Sequence, residues 1–327
     1  MNTSETALVH IRTPTFKRPT ELKRCLQSIQ AQSHENWVCD VYDDDLEGSA
    51  LVVVNGLDDP RIIHHQNEQQ YYASKNIDLC FTRKNPHSAD YFCVVEDDNS
   101  ILPTFIKENI RLCRENDVEI IFRNQFIEHE SGTEQAYLSE NGILDRKLNE
   151  GRYDSDLFRL ALVADIGVSN GGLFWSDGVV SDLEIHFDCS ATLQEYLRTF
   201  AIDEPIYIAM EPLAVWAENG DDTTRDLGVN SGYLRSELDL KRSIRILQHK
   251  AWARAKSSDS SSFLGHPIFA YSTQARARGL VKSHLKLNIG NSLPFSEKLW
   301  LIYRGCLIRL FGRPEPGLIK FLKTRGA

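Results

Sequence analysis

The sequence predicts an α/β fold in which a sheet is flanked by helices. Two hydrophobic periods alternate over the first hundred residues, which is the pattern of parallel strands joined by crossover helices. The composition agrees, because 42% of the 327 residues are hydrophobic and 25% are charged, as in ordinary globular proteins. Disorder, collagen-like repeats and coiled coils are therefore excluded, and the length suits one large domain or two smaller ones.

The first hundred residues contain the clearer pattern. Residues 21–32 place Leu22, Cys25, Leu26 and Ile29 on one helical face, after a proline and a threonine that suit a helix start. A second helix is predicted at residues 71–83, and a third from 102 to about 113. Strands are predicted at residues 7–12, 37–42, 61–65 and 91–95. A ligand should bind at the carboxyl ends of these strands.

The rest of the chain is more mixed. Strands are predicted at residues 118–122, 172–175 and 206–216, and short helices at 156–163 and 193–200, with a polar loop before residue 150. From residue 231 onward the pattern is mostly helical, and a serine-rich linker interrupts it at residues 257–262. We therefore divide the chain into residues 1–100, 101–230 and 231–327.

Charge is distributed unevenly along the chain. The net charge of −9 argues against nucleic-acid binding, because that binding depends on neutralising phosphates. Residues 276–327 contain eleven Lys/Arg and two Asp/Glu, whereas residues 1–275 carry a net −18. The C-terminal segment is therefore a helical, basic extension with a different role from the rest.

Cysteines and the N-terminus suggest a cytoplasmic protein. The seven cysteines are an odd number, scattered and without a CxxC pair, which fits buried thiols in a reducing compartment. The first residues lack the basic and apolar regions of a signal peptide, and no stretch approaches the roughly 18 apolar residues of a membrane span.

Two acidic clusters follow predicted strands. Asp43-Asp44-Asp45 comes after the strand at 37–42, and Glu96-Asp97-Asp98-Asn99 comes after the strand at 91–95. A single cluster is most simply an acidic loop. Two at successive strand ends favour a metal and a polar ligand, because crowded carboxylates need a cation or donor groups to neutralise them.

Several enzyme classes lack their sequence signal. The chain contains no GxxxxGK, GxGxxG or HExxH motif. These absences exclude the main signatures of P-loop NTPases, Rossmann dehydrogenases and zincins.

The acidic clusters lie within segments that resemble family 2 inverting glycosyltransferases. HIRTPTFKRP and WVCDVYDDD resemble the PTYNRP-like and VDDGS-like turns that end the family's first two strands, and VVEDDN resembles its DXD motif. NGGLFWS, QEYLRTF and YIAMEPLAVW follow in the order of the family's acceptor half. The resemblance covers residues 9–222. It implies a GT-A-like, Rossmann-like mixed sheet, with a nucleotide-sugar-binding half at 1–100, an acceptor-binding half of the same domain at 101–230, and the extension at 231–327.

The resemblance also implies roles for individual residues. Asp98 would be the direct ligand of Mn²⁺ or Mg²⁺, and Asp97 would lie nearer the sugar and ribose hydroxyls. Asp43 would accept from N3–H of uracil. The other residues of the nucleotide-sugar site would be Thr13 and Pro14 beside the base, Arg18 beside the nucleotide, and Lys75 and Asn76 near the diphosphate or sugar.

The acceptor half would supply the general base and a sugar pocket. Glu195 matches the position of the family's ED motif, although this chain has Gln194-Glu195 there. The pocket would contain Gly171, Gly172 and Trp175. The metal would offset charge on the departing diphosphate, and a carboxylate would take the proton of the attacking hydroxyl, so the anomeric configuration would invert.

Two other functions compete with a UDP-sugar transferase acting on a glycan or lipid-linked acceptor in surface polysaccharide synthesis. A sugar-phosphate nucleotidyltransferase would need a glycine-rich, basic first loop, and HIRTPTFKRP has no glycine. A catalytically inactive nucleotide-sugar or glycan binder would not need Asp98 and Glu195.

Residues 295–325 interleave apolar and basic side chains. This pattern suits a helix lying on an anionic membrane, which would place a cytoplasmic enzyme at the inner face of the membrane. It also suits a helix that packs on the acidic body of the protein, and the sequence leaves both interpretations open.

Overall fold

The computed structural model describes residues 6–218, 231–287 and 292–325. These residues form one sheet of ten strands. The strands are β1 (Val9–Thr15), β2 (Trp37–Asp43), β3 (Ile62–Gln66), β4 (Tyr91–Val94), β5 (Ser100–Ile101), β6 (Ile120–His129), β7 (Tyr137–Leu138), β8 (Gly151–Tyr153), β9 (Leu173–Ser176) and β10 (Ile206–Ala217).

The sheet is mixed. Its order is β3-β2-β1-β4-β9-β6-β10-β5, with β7 beside β6 and β8 beside β10. Strands β1 to β4 are parallel, β9 is antiparallel to both β4 and β6, and β10 is parallel to β6. The carboxyl ends of β1, β2 and β4 therefore meet at one edge, as expected from the sequence.

Helices cover both faces of the sheet and continue into the C-terminal extension. The first six are α1 (Pro19–Gln30), α2 (Ser49–Leu57), α3 (Tyr72–Leu79), α4 (Phe105–Asn116), α5 (Ser155–Arg159) and α6 (Ala191–Ala201). The extension adds α7 (Ser231–Arg254), α8 (Ser257–Ser262), α9 (Thr273–Lys282), α10 (Phe295–Phe311) and α11 (Pro316–Thr324). The four apolar residues predicted to share one face of α1 are all buried. The predicted α/β architecture is confirmed.

Strand β6 ends seven residues later than predicted. Its continuation includes Arg123, Asn124 and Gln125, a polar run that resembles a loop in the sequence. These side chains are buried and hydrogen-bonded: Arg123 Nε donates to Asn109 Oδ1 at 2.8 Å, and Asn124 Nδ2 donates to Asp145 Oδ1 at 2.9 Å, although Arg123 Nη2 has no partner. Tertiary hydrogen bonds thus allow a polar strand to pass through the core.

Two helices differ from the sequence interpretation. Residues 257–262, expected to be a linker, form the short helix α8. Helix α2 was not predicted, because SALVVVNGL is an apolar run without a helical period. Leu51 and Val52 of this helix are 44% and 78% exposed, so the apolar run is not wholly internal.

The extension packs on the body of the protein. Phe263, Phe269 and Leu280 belong to the same core cluster as Phe122 and Trp175 of the sheet. A further cluster joins α6 to α7 and α11. Among the described helices, none is both long enough and apolar enough to cross a bilayer.

Candidate functional site

A cavity of about 240 Å³ opens at the carboxyl ends of β1 and β4. Five of the residues to which the family resemblance gives individual roles line it: Pro14, Arg18, Asn76, Asp97 and Asp98. The parallel pairing of β1 with β4 brings Pro14 and the acidic cluster together, although they are more than 80 residues apart in the sequence. We call this space the acidic cavity.

Three consecutive carboxylates crowd one wall of the acidic cavity. Arg18 Nη1 lies 2.8 Å from Asp98 Oδ2 and 3.4 Å from Asp97 Oδ1, and the Thr15 hydroxyl donates to Asp97 at 2.7 Å. Burial and the neighbouring Asp98 nevertheless raise the pKa of Asp97 to about 6. One arginine therefore does not neutralise the cluster, and its hard oxygen donors fit Mg²⁺ or Mn²⁺.

Glu96 connects the acidic cavity to a second one. Its side chain lines both cavities. Asn99 Nδ2 donates to one carboxylate oxygen at 3.1 Å, and Asn170 Nδ2 donates to the other at 3.3 Å. Burial and the charge of Asp98 raise the pKa of Glu96. The sequence places Glu96 in the second acidic cluster but indicates no role for it apart from that cluster.

The second cavity has a volume of about 330 Å³ and contains Glu195. Glu195 is half-buried in the first half of α6, and Gly171 lies in the same wall. A Cβ on Gly171 would lie 3.1 Å from Gln125 Nε2, so a side chain here would crowd the cavity. The cavity also includes Asn99, Gln125, Ser169, Asn170, Tyr196 and Trp216.

Arg198 fixes α6 against the neighbouring elements. Its guanidinium is fully buried and donates to Asp78 at 2.7 Å, to Asn170 Oδ1 at 2.9 Å and to the Leu183 carbonyl at 3.0 Å. Because Asn170 also donates to Glu96, this network connects α3, α6 and the junction of the two cavities. The helix that carries Glu195 is thereby held in one orientation.

Two residues predicted for the nucleotide-sugar site have side chains that point into the protein and not into the acidic cavity. The Asp43 carboxylate is fully buried and accepts from the backbone N–H groups of Asp45 and Ala50, at 3.0 and 3.1 Å, with His64 Nε2 at 3.1 Å. The Thr13 side chain contacts Cys39 at 3.6 Å.

Lys75, Gly172 and Trp175 also lie outside the linings of the two cavities. Lys75 borders a separate pocket, where its ammonium lies 4.6 Å from the centre of the Tyr71 ring. A Cβ on Gly172 would lie 2.7 Å from Ser169 Oγ, so this glycine permits close packing. Trp175 is 4% exposed and stacks on two phenylalanines of the core.

The acidic cavity has a further wall, of which the sequence singled out only Asp44, as part of its first acidic cluster. Phe16, Asp44, Gln70 and Tyr72 line it. Asp44 shapes this wall, because its carboxylate accepts from the backbone N–H groups of Tyr71 and Tyr72 at 2.6 and 2.7 Å. No sequence motif links residues 44 and 70–72, and only the folded chain brings them together.

No family model and no curated protein matches the sequence. Three crystal structures of residues 1–349 of S. aureus TarS match the fold. One is 12% identical and covers 90% of this chain and 78% of that chain, with a TM-score of 0.54. The complex with UDP-GlcNAc is 11% identical, with 93% and 89% covered and a TM-score of 0.58. The complex with UDP is 10% identical, with 98% and 92% covered and a TM-score of 0.56. The chain therefore shares the fold of these structures.

Proposed function

We propose that this protein is a glycosyltransferase that moves a sugar from a UDP-linked donor to a hydroxyl of a glycan or lipid-linked acceptor. The observation that carries the proposal is the junction of two cavities at Glu96, one acidic and one containing Glu195. A transferase needs such a pair of adjoining sites, since donor and acceptor must react in contact. The motif resemblance to family 2 and the TarS complexes with UDP-GlcNAc and UDP support this assignment.

The acidic cavity is the proposed donor site. Asp98 would hold Mn²⁺ or Mg²⁺, with Asp97 beside it toward the sugar. When bound, the metal would offset the negative charge that develops on the diphosphate leaving group. Arg18 already contacts both carboxylates, so it would shift toward the diphosphate once a cation neutralises them. Pro14 and Asn76 complete the same wall.

Glu195 is the proposed general base. Its position in the second cavity suits a carboxylate that takes the proton from an acceptor hydroxyl as that hydroxyl attacks the sugar. Attack from the side opposite the leaving diphosphate would invert the anomeric configuration. Surface polysaccharide synthesis is the process that this acceptor chemistry suits.

We also propose that α10 contacts an anionic membrane from the cytoplasmic side. One face of α10 packs inward through Gly305 and Ile308, as one interpretation of the sequence predicted. The other face exposes large apolar side chains, with Phe295 and Leu310 each 76% exposed and Leu299, Trp300, Tyr303 and Phe311 each above half. Basic residues lie along it, including Arg304 and Arg309. Apolar side chains beside basic ones suit the headgroup region of an anionic bilayer.

Thermal shift with UDP, GDP and CDP and with the corresponding triphosphates, each with and without Mn²⁺, tests the proposed activity class. A ligand that binds the native state raises the melting temperature. We expect a Mn²⁺-dependent shift with UDP. A shift with nucleoside triphosphates alone would instead indicate a nucleotidyltransferase, and UDP binding without turnover of any donor would indicate an inactive binder.

A further inference from the structure

A group of side chains that could bind a metal lies beside the sheet, away from the acidic cavity. His10 on β1, Asp40 on β2 and His87 in the loop before β4 place their ligand atoms within 4.8 Å of one another. The Nε2 atoms of His10 and His87 are 2.8 and 3.1 Å from Asp40 Oδ2. His65 on β3 approaches the other carboxylate oxygen, with its Nε2 3.0 Å from Asp40 Oδ1.

We propose that His10, Asp40 and His87 bind a Zn²⁺ ion, with His65 beside them as a candidate fourth ligand. Imidazole nitrogens favour zinc and its neighbours in the transition series, whereas carboxylates alone favour Mg²⁺ or Mn²⁺. Two ligand atoms on one tetrahedral Zn²⁺ are about 3.4 Å apart. To share an ion, the His10 and His87 nitrogens, which lie within 4.8 Å of each other, must approach, and each must move slightly away from Asp40 Oδ2.

This site is distinct from the proposed donor site. His10 precedes Pro14 by four positions on β1, which corresponds to about 13 Å along an extended strand. The ion also has a route of entry. His10 and Asp40 are buried, but the side chains of His87 and His65 are 23% and 44% exposed.

Arg12 limits the affinity of this site. Its Nε lies 3.4 Å from His10 Nδ1, and its guanidinium donates to the backbone carbonyls of Cys80, Thr82 and Lys84. If His10 binds zinc through Nε2, its proton moves to Nδ1 and faces the Arg12 N–H. The positive charge of Arg12 also opposes the cation. We therefore expect a dissociation constant on the order of micromolar, weaker than that of a structural zinc finger.

Zinc at this position would connect β1 and β2 to the loop that precedes β4. Since β1 and β4 both end at the acidic cavity, the ion would stabilise the sheet beneath that cavity. It would not take part in the proposed sugar transfer, so the zinc site and the proposed activity can fail independently.

Calorimetric titration of the full-length protein with Zn²⁺, in excess Mn²⁺ to occupy the acidic cavity, tests the proposal. We expect one ion per chain, and at least tenfold weaker binding in both His87→Ala and Asp40→Asn. His129→Ala is the control, because His129 has a similarly exposed side chain outside the cluster. Asp40 is buried, so Asp40→Asn can misfold. His87 is partly exposed, so His87→Ala tests the proposal even if Asp40→Asn does not fold.

Titration with Co²⁺ adds a second measurement. We expect bound Co²⁺ to show the visible absorption bands of an ion with nitrogen and oxygen ligands, and we expect His87→Ala to lose these bands. No Zn²⁺ binding at about 100 µM, equal affinity in His87→Ala, or the near-ultraviolet band of a cobalt thiolate would each overturn the proposal.

Discussion

The carboxylate of Glu315 closes the amino end of α6 by accepting two hydrogen bonds from Ser190. The backbone N–H and the hydroxyl of Ser190 lie 2.8 and 2.9 Å from its two oxygens. Ser190 is the N-cap of α6, and Glu315 directly precedes α11. The C-terminal extension therefore helps to hold the helix that carries Glu195, and a negative charge at this position also favours the helix dipole.

Replacing Glu315 should destabilise the protein. Glu315→Ala removes two hydrogen bonds to a charged group, which we expect to lower the free energy of unfolding by about 1–3 kcal/mol. Glu315→Gln retains acceptor capacity and should cost less. Urea denaturation measures both variants. If Glu315→Ala unfolds at the same urea concentration as the wild type, the extension does not support α6 in this way.

Glu195→Gln should slow transfer without weakening donor binding. The amide cannot take the acceptor proton, so kcat should fall by about 10²–10⁴-fold, while the dissociation constant for the donor nucleotide stays within about twofold. Asp188→Asn is the control, because Asp188 lies near the start of α6 but borders a different pocket. A variant that retains kcat and loses donor affinity would contradict the role of Glu195 as base.

The exposed face of α10 should bind anionic vesicles. We expect the wild type to sediment with vesicles containing phosphatidylglycerol at low salt, and Trp300→Ser with Leu310→Ser to bind more than tenfold more weakly. Each apolar side chain removed from the bilayer costs about 1.5–3 kcal/mol. Val52→Ser is the control, since Val52 is 78% exposed on another helix.

Two results would contradict the membrane assignment. One is wild-type protein that stays in the supernatant. The other is a wild-type oligomer that the double variant dissociates, which would assign this face of α10 to a second copy of the chain. Point variants are preferable to truncation, because Leu318 and Phe321 of α11 are buried against α6 and α7.

The sequence predicted those helices and strands whose apolar residues recur at regular helical or strand spacing. Strands β1, β2 and β4 and helix α1 follow such patterns, and the position of the acidic cavity follows from the parallel order of the strands. The sequence predicted too short a strand β6, because the hydrogen-bond partners of its polar side chains lie in other parts of the chain. The contact of Asp44 with the backbone of Tyr71 and Tyr72 was missed for the same reason, since it joins segments that are distant in the sequence.

The structure differs from the predicted site at residues whose place in the chain a motif indicates but whose side-chain direction it does not. Asp97 and Asp98 follow β4 and face the acidic cavity. Asp43 ends β2 as expected, yet backbone donors of its own loop occupy its carboxylate. Trp175 lies in the core, where it stacks on two phenylalanines. Their roles in binding remain proposals.

Release of UDP from UDP-sugars tests the central claim most directly, because slow donor hydrolysis needs no acceptor. We expect wild-type protein with Mn²⁺ to hydrolyse at least one UDP-sugar. EDTA should abolish this hydrolysis, and so should Asp98→Ala, since the metal then loses its proposed ligand. The fold should survive, because this substitution removes the ion pair with Arg18 but also relieves the repulsion that Asp98 exerts on Glu96 and Asp97. Hydrolysis that persists undiminished in EDTA and in Asp98→Ala, or no hydrolysis of any nucleotide sugar, would contradict a metal-dependent glycosyltransferase.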